Sequence, residues 1–275
     1  MIDSCYLDTT VLVEALLKSR RRRTKARAAV QAYAKSLLPV YAIKEMSAGA
    51  LSNFVWLYNR LAESRSLAKT YQAIASNIRR PNRTTTSLEA LQAANEAVTG
   101  LDLADARTPM QTDRLQAEML ALSLRRIIQN AWRDRRKITS AVVEELECFP
   151  DEGPFFDEER RMLVMGRTKC PDRVDCSYAG ELRKRSSDLE SLLAVIKGSS
   201  RAEDNRRRAA LHTLKNTPRR KFENENCRNL GDAYFALHCP ENSTILTSNT
   251  RDHGPLAEAL GRTVTEYKWD PDSNG

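Results

Sequence analysis

Residues 227–260, CRNLGDAYFALHCPENSTILTSNTRDHGPLAEAL, contain the order of elements that decides the fold. The acid Asp232 begins an apolar helical run, and Pro240 ends it. A short β-type run follows at residues 244–247 and leads through a polar turn to a second acid, Asp252. Because open α/β folds place their ligands at the carboxyl ends of the strands, this order predicts two carboxylates at one edge of a sheet.

The amino-terminal residues predict two more acids at strand ends. The apolar run Cys5-Tyr6-Leu7 ends at Asp8, and a second predicted strand, residues 37–43, runs into Glu45. Pro39 suits the first residues of that strand or an edge position. Between the two strands, Thr24 follows a run of arginines and is expected to cap a helix that extends to about residue 34.

The middle of the chain has helical periodicity from Ser47 to about Lys215. The α/β pattern then returns. Pro255 suits the first turn of a short helix that Gly261 closes, and residues 263–267 alternate as a last strand. We therefore expect an α/β core formed by residues 1–50 and 222–268, a large all-helical insertion at 51–221, and a tail at 269–275.

The charge of the chain favours an anionic partner. The 44 Lys and Arg residues exceed the 36 Asp and Glu residues, which gives a formal charge of +8. Basic residues cluster in runs such as 20–23, 125–126, 133–137, 206–208 and 219–221, and such runs bind phosphates without reading sequence. A solvated helical surface is the alternative interpretation of the same excess.

Other classes of protein and site are less well supported. No apolar run approaches the roughly 20 residues of a membrane span. The amino terminus does not resemble a secretory signal, so we expect a cytoplasmic protein without a membrane partner. The six cysteines are scattered, as reduced thiols would be. Cys170 and Cys176 could form half of a zinc site, but they are spaced more widely than in a usual zinc knuckle, and no second pair follows them.

Carboxylates that converge need a compensating positive charge. Asp8, Glu45, Asp232 and Asp252 would repel one another at short range, and hard divalent cations such as Mg²⁺ or Mn²⁺ would relieve that repulsion. Ions held in this way activate water for attack on a phosphodiester. Taken singly, each acid has a simpler explanation as a helix cap or a surface residue. Their order, two at each end of the chain, favours a shared site.

Four short motifs in this order resemble those of PIN-domain nucleases. Residues 6–12 (YLDTTVL) resemble the opening motif, in which an Asp at a strand end is followed two residues later by Ser, Thr or Asn. Residues 41–45 (YAIKE) resemble the second, residues 230–233 (LGDA) the third, and residues 247–252 (TSNTRD) the fourth.

The resemblance implies a Rossmann-like fold with a central parallel sheet and a Mg²⁺- or Mn²⁺-dependent nuclease site that usually acts on single strands. Asp8, Glu45 and Asp232 would bind the metal, and Asp252 would complete the site. In many members of the family the fourth acid lies at the place that Asn249 has here, and in others it lies at the later place of Asp252. The polar residues that would support the acids or a water molecule are Thr10, Thr247 and Asn249.

The leading hypothesis is a ribonuclease that acts as a toxin or as an anti-phage effector. The alternatives are a non-catalytic PIN-like scaffold that binds nucleic acid or protein, and a structure-specific DNA nuclease. Expected partners are nucleic acid, with RNA favoured over DNA, an inhibitory or complex-forming protein, and another copy of the chain. The candidate phosphate-binding residues are Arg20, Arg21, Arg22, Arg23, Arg219, Arg220 and Lys221. Of the histidines, His253 follows Asp252 and could approach the site, but its position in a turn favours a surface location.

Overall fold

A computed structural model describes residues 3–76, 81–98, 108–143, 149, 151–167, 177–216, 222 and 224–269. Strands and helices alternate at both ends of the chain, and helices predominate between them. The strands are β1 Ser4–Leu7, β2 Lys35–Pro39, β3 Ala141–Val143, β4 Phe155–Asp157, β5 Met162–Val164, β6 Ser243–Thr247 and β7 Thr263–Glu266. The helices are α1 Thr9–Leu17, α2 Arg20–Gln31, α3 Val40–Met46, α4 Ser52–Ser64, α5 Leu67–Ala75, α6 Pro81–Val98, α7 Pro109–Asp134, α8 Ser177–Arg183, α9 Ser186–Ile196, α10 Ala202–Asn216, α11 Asn224–Leu230, α12 Asp232–His238 and α13 Thr250–Glu258.

Five strands form one parallel sheet in the order β3-β2-β1-β6-β7. The central strand is β1, where Tyr6 lies opposite Leu37 of β2 on one side and opposite Ile245 of β6 on the other. The chain leaves β1 toward β2 and later returns to β6 on the other side. The carboxyl end of the β1–β6 pair is therefore a topological switch point, where open α/β sheets bind their ligands.

The two strands at this point are buried. Residues 5–7 of β1 and all five residues of β6 are inaccessible or nearly so. Helices usually cover both faces of a parallel sheet, which accounts for the burial of polar as well as apolar residues of β6. The fold class predicted from the sequence, α/β with a parallel central sheet, is confirmed.

An aromatic cluster joins the two ends of the chain beside the sheet. The ring of Tyr234 on α12 stacks on that of Tyr41 on α3, with centroids 3.9 Å apart. Phe235 meets Tyr41 and Tyr6 edge to face, at 5.7 and 6.3 Å. Aromatic pairs in these geometries add to the stability gained from buried area. This packing fixes α12 relative to α3, the helices that carry Asp232 and Glu45.

The second predicted strand is shorter than the sequence indicates. β2 ends at Pro39, and residues 40–46 form α3, so Glu45 lies in the last turn of a helix and not at a strand end. Pro39 is the last residue of β2, which lies between β1 and β3. Apolar runs of this length do not distinguish a strand from a buried helix.

The region 51–221 is not all helical. β3 joins the main sheet beside β2, and β4 pairs with β5 in an antiparallel hairpin. Two helix boundaries also differ from prediction. The arginine run lies inside α2, which Ser19 caps in place of Thr24, and Pro255 is the sixth residue of α13. Gly261 follows α13 with φ +64°, as expected of a residue that closes a helix.

Among the residues that the structure describes, no helix is long and apolar enough to cross a membrane.

Candidate active site

Asp8 lies at the carboxyl end of β1 and caps α1. Its Oδ1 accepts a hydrogen bond from the backbone N–H of Thr9 at 2.6 Å. Its Oδ2 accepts from the hydroxyls of Thr10 and Thr247, at 2.6 and 2.7 Å. Asp8 is only 3 % exposed. Thr10 in the first turn of α1 and Thr247 at the end of β6 thus fix the orientation of a buried carboxylate.

His253 lies between two of the predicted acids. Its Nε2 is 3.4 Å from Oδ1 of Asp8 and 3.3 Å from Oδ1 of Asp232. The side chain is 1 % exposed, so the expected surface location was wrong. Burial alone would lower the pKa of His253, but the carboxylates of Asp8, Asp232 and Glu45 raise it above its ordinary value.

The protonation of Asp8 is also set by these neighbours. Burial alone would raise the pKa of this carboxyl. His253 and the hydroxyls of Thr10 and Thr247 favour the charged form, and together they hold the pKa of Asp8 below its ordinary value. The aspartate is therefore ionised beside a histidine that is readily protonated.

Asp232 is the first residue of α12. Gly231 precedes it with φ +48°, a conformation that separates α11 from α12 and that favours glycine. Burial raises the pKa of Asp232, and the nearby Asp8 and Asp252 add to this rise, whereas His253 and Arg207 oppose it. The Nη2 of Arg207 donates to Oδ2 of Asp232 at 2.6 Å. Each oxygen of Asp232 therefore faces a side chain that can carry positive charge.

Glu45 approaches the same point from α3. The hydroxyl of Thr9 donates to its Oε2 at 2.6 Å. Burial raises the pKa of Glu45 to about 7, and the charges of Asp8 and Asp232 contribute, while hydrogen bonds from Thr9 and Tyr41 act in the opposite direction. A π-helical turn at residues 47–51 follows α3, a distortion that is frequent at functional sites. The structure thus brings Asp8, Glu45 and Asp232 together.

Asp252 lies at the margin of this cluster, in the first turn of α13. Arg201 forms an ion pair with its Oδ1, and the amide of Asn249 donates to its Oδ2 at 2.9 Å. The backbone N–H of Asn249 in turn donates to the Thr247 hydroxyl at 2.9 Å. Burial alone would raise the pKa of Asp252, but Asn249 and Arg201 lower it. That Asp252 completes a metal site stays a prediction.

Side chains of the protein itself compensate most of this negative charge. His253 faces Asp8 and Asp232, Arg207 binds Asp232, and Arg201 binds Asp252. Within the described part of the chain, no group of three or more His, Cys, Asp or Glu side chains is arranged to hold a metal ion. The acids are gathered, but their oxygens already have partners within the chain: those of Asp232 and Asp252 face nitrogens, and Oδ2 of Asp8 and Oε2 of Glu45 accept from threonine hydroxyls.

Sequence reasoning missed His253 and Arg207, although both carry a signal. His253, Leu256 and Ala257 lie three and four residues apart on α13 and are all buried, so the histidine belongs to the inner face. Arg207 lies within the run 206–208. Successive residues of a helix point about 100° apart, so one of three arginines in a row turns inward.

The predicted phosphate-binding arginines fall into two groups. Residues 219–221 lie outside the described residues. In the run 20–23, Arg22 pairs with Glu14 and Glu89. Burial lowers the pKa of Arg23, and the neighbouring charges of Arg27 and Arg20 lower it further. The start of α2 is therefore crowded with positive charge.

Trp269, which the sequence assigned to the tail, lies against this basic helix. The cationic groups of Arg21, Arg22 and Lys25 lie 5.5–5.6 Å from the centre of its ring. The backbone of Tyr267, two residues earlier, donates to the carbonyl oxygen of Thr247 at 2.7 Å. The aromatic ring and its cations are thus tied to the edge of the sheet where Asp8 lies.

Comparisons with protein-family models, curated proteins and solved structures gave no match to the chain.

Proposed function

We propose that the protein is a PIN-like nuclease that hydrolyses phosphodiester bonds with the help of Mg²⁺ or Mn²⁺, with RNA as the favoured substrate. The observation that carries this proposal is the convergence of Asp8, Glu45 and Asp232 at the switch point of a parallel sheet. These acids come from elements far apart in the chain, and their mutual repulsion costs stability unless a cation compensates it.

The chemistry of these donors fits a hard divalent cation. Carboxylate oxygens are the ligands that Mg²⁺ prefers, and Asp8, Glu45 and Asp232 would hold the ion. When bound, such an ion supplies positive charge to a phosphate and eases the deprotonation of water. The present contacts of His253 and Arg207 with the acids would have to loosen to admit it.

The remaining roles belong to residues of the chain. Thr10 and Thr247 keep Asp8 oriented, since both hydroxyls donate to one of its oxygens. The hydroxyl of Thr9 donates to Oε2 of Glu45 and keeps this second carboxylate oriented. The basic start of α2 and Trp269 offer cations and an aromatic face to a single strand.

The test is a cleavage assay with purified protein and Mn²⁺ on labelled single-stranded RNA, single-stranded DNA and flap DNA. We expect cutting of single-stranded RNA above all, reduced at least 100-fold in Asp232→Asn. The matched control is Glu181→Gln, an acid-to-amide change at an exposed residue of α8 that pairs only with Lys184 among the described residues. If flap DNA were the preferred substrate, the structure-specific DNA nuclease would replace the ribonuclease.

A toxic or anti-phage role for this activity is tested separately. Expression of the wild-type chain should arrest growth of a host cell, whereas expression of Asp232→Asn should not. Equal growth with both would remove the effector role and leave the enzymatic proposal in place.

A non-catalytic scaffold is the second candidate, and one observation favours it. Arg207, His253 and Arg201 already compensate the charge of the acids, as they would in a site that has no metal. A scaffold would bind RNA or protein, but it would neither bind Mn²⁺ nor cleave RNA. Its binding of RNA or protein would be unaffected by Asp8→Ala.

A further inference from the structure

A cleft of about 500 Å³ opens between α10 and α11, beside the start of α12. Arg206, Arg207 and Arg228 line it, together with Glu203 and Glu225. Arg206 pairs with Glu203 at 3.3 Å, and both side chains are exposed. The side chain of Arg228 is exposed and makes no hydrogen bond or ion pair with any residue that the structure describes.

Arg207 connects this cleft to the acid site. It lines the cleft, yet it is only 5 % exposed. All three of its nitrogens donate: Nε to the carbonyl oxygen of Leu230 at 3.2 Å, Nη1 to Asp204 at 2.6 Å and Nη2 to Asp232 at 2.6 Å. One guanidinium therefore separates the cleft from a predicted metal ligand.

The contact between Arg207 and Asp232 opposes cation binding. A guanidinium in contact with a carboxylate competes with a metal ion for the same oxygens and repels it. A phosphate is a strong partner for guanidinium groups, because its oxygens match their planar fork of donors. Arg228 and Arg207 both line the cleft, so a phosphate bound there would lie near both side chains.

We propose that the cleft binds a phosphate group of the polynucleotide, and that this phosphate draws Arg207 away from Asp232, so that nucleic acid and divalent cation strengthen each other's binding. This inference rests on the proposed function of the site. Because coupling between two ligands is reciprocal, it can be measured as a change in metal affinity, without any cleavage.

The experiment is a calorimetric titration of the full chain with Mn²⁺, with and without a saturating single-stranded phosphorothioate oligonucleotide that resists cleavage. The heat of Mn²⁺ binding to the oligonucleotide alone is subtracted. We expect the oligonucleotide to tighten Mn²⁺ binding by about 5- to 10-fold, a usual size for coupling between sites.

Two variants locate the coupling. Arg228→Gln alters only an exposed residue of the cleft, so Mn²⁺ affinity without oligonucleotide should be unchanged, and the enhancement should fall to about 2-fold or less. Arg207→Gln should bind Mn²⁺ more tightly than wild type without oligonucleotide and show no enhancement. The control is Lys215→Gln, which removes one charge from the exposed end of α10, about 12 Å along the helix from Arg207. It should retain the full enhancement.

The results separate this inference from the function on which it rests. If the wild type bound Mn²⁺ equally with and without oligonucleotide, or if Arg228→Gln kept the full enhancement, the coupling would be refuted and the nuclease would stand. If no Mn²⁺ bound under either condition, the proposed function would fail as well. Arg207→Gln removes one buried partner from each of Asp204 and Asp232, so circular dichroism must show that the variant is folded. If it is not folded, Arg228→Gln decides the question.

Discussion

The imidazole of His253 lies 3.4 Å from the carboxylate of Asp8, and both side chains are almost fully buried. Residues 245 positions apart in the chain thus form one charged pair inside the fold. A buried carboxylate without such a partner would be costly. The pair therefore stabilises the site that it occupies.

His253→Gln should lower stability in a pH-dependent way. The pKa of His253 is raised in the folded state. Its contribution to the free energy of unfolding is therefore fully present at pH values below its ordinary pKa of 6.5, and it is lost as pH rises through the folded pKa. We expect a loss of about 1–2 kcal/mol at pH 5.5 that shrinks toward alkaline pH, measured by urea unfolding. His212→Gln, at an exposed position of α10, is the control and should show no such trend. A loss independent of pH would contradict the charged pair.

Glu45→Gln should change how the free energy of unfolding depends on pH between pH 4.5 and 7. The pKa of Glu45 rises from 4.5 to about 7 on folding, so the folded chain binds more protons than the unfolded chain between these values. Ionisation of Glu45 therefore lowers the free energy of unfolding as pH rises from 4.5 to 7. Because the side chain is partly exposed, the effect should be on the order of 1–2 kcal/mol. Removing it should flatten this part of the stability profile, and an unchanged profile would exclude the shift.

Thr247→Val tests the support of Asp8. Valine keeps the shape of threonine but removes the hydroxyl that donates to Asp8 at 2.7 Å. We expect a loss of about 1–2 kcal/mol, because a buried acceptor loses a donor. Thr244→Val in the same strand removes a hydroxyl that bonds to Thr265. Thr244→Val should lower the free energy of unfolding less than Thr247→Val does. It should leave Mn²⁺ affinity unchanged, whereas Thr247→Val should weaken Mn²⁺ binding. Equal effects of the two changes would contradict a role for Thr247 at the site.

Gly231→Ala tests the turn before Asp232. A Cβ at this position would lie 3.5 Å from Nη2 of Arg207, an ordinary contact, so the cost comes from the backbone at φ +48°. We expect a loss of at least about 1 kcal/mol by thermal or urea unfolding. Gly254→Ala, inside α13 where the added methyl meets nothing within 4 Å, should be neutral or stabilising. Similar effects of both changes would argue against strain at the turn.

Local sequence predicts the central elements of this fold well. Strong signals mark one boundary of each of three strands: Asp8 follows β1, Pro240 precedes β6 and Gly261 precedes β7. β2 was predicted too long, because the apolar run 37–43 fits a strand and a buried helix equally. β3 is three residues long, and such a strand is defined by its pairing with β2 rather than by its own sequence.

The acids of the site were predictable, and the inward position of Arg207 carried a signal, but which acid each arginine pairs with was not predictable. Asp8, Glu45 and Asp232 each follow a recognisable local pattern, and the order of strands brings them together. The contacts of Arg207 and Arg201 with the acids span 25 and 51 residues and depend on how α10 packs against the core. No local pattern encodes that packing. Sequence therefore indicated a cluster of acids without showing how the chain compensates its charge.

The most direct test of the metal site is a calorimetric titration of wild type, Asp8→Asn and Glu181→Gln with Mn²⁺ at pH 7.5. We expect saturable binding by wild type and Glu181→Gln, and a loss of about 10-fold or more in affinity in Asp8→Asn, because that change removes a carboxylate from the cluster. Absence of Mn²⁺ binding by the wild type, or equal affinity in all three proteins, would contradict the proposed metal site.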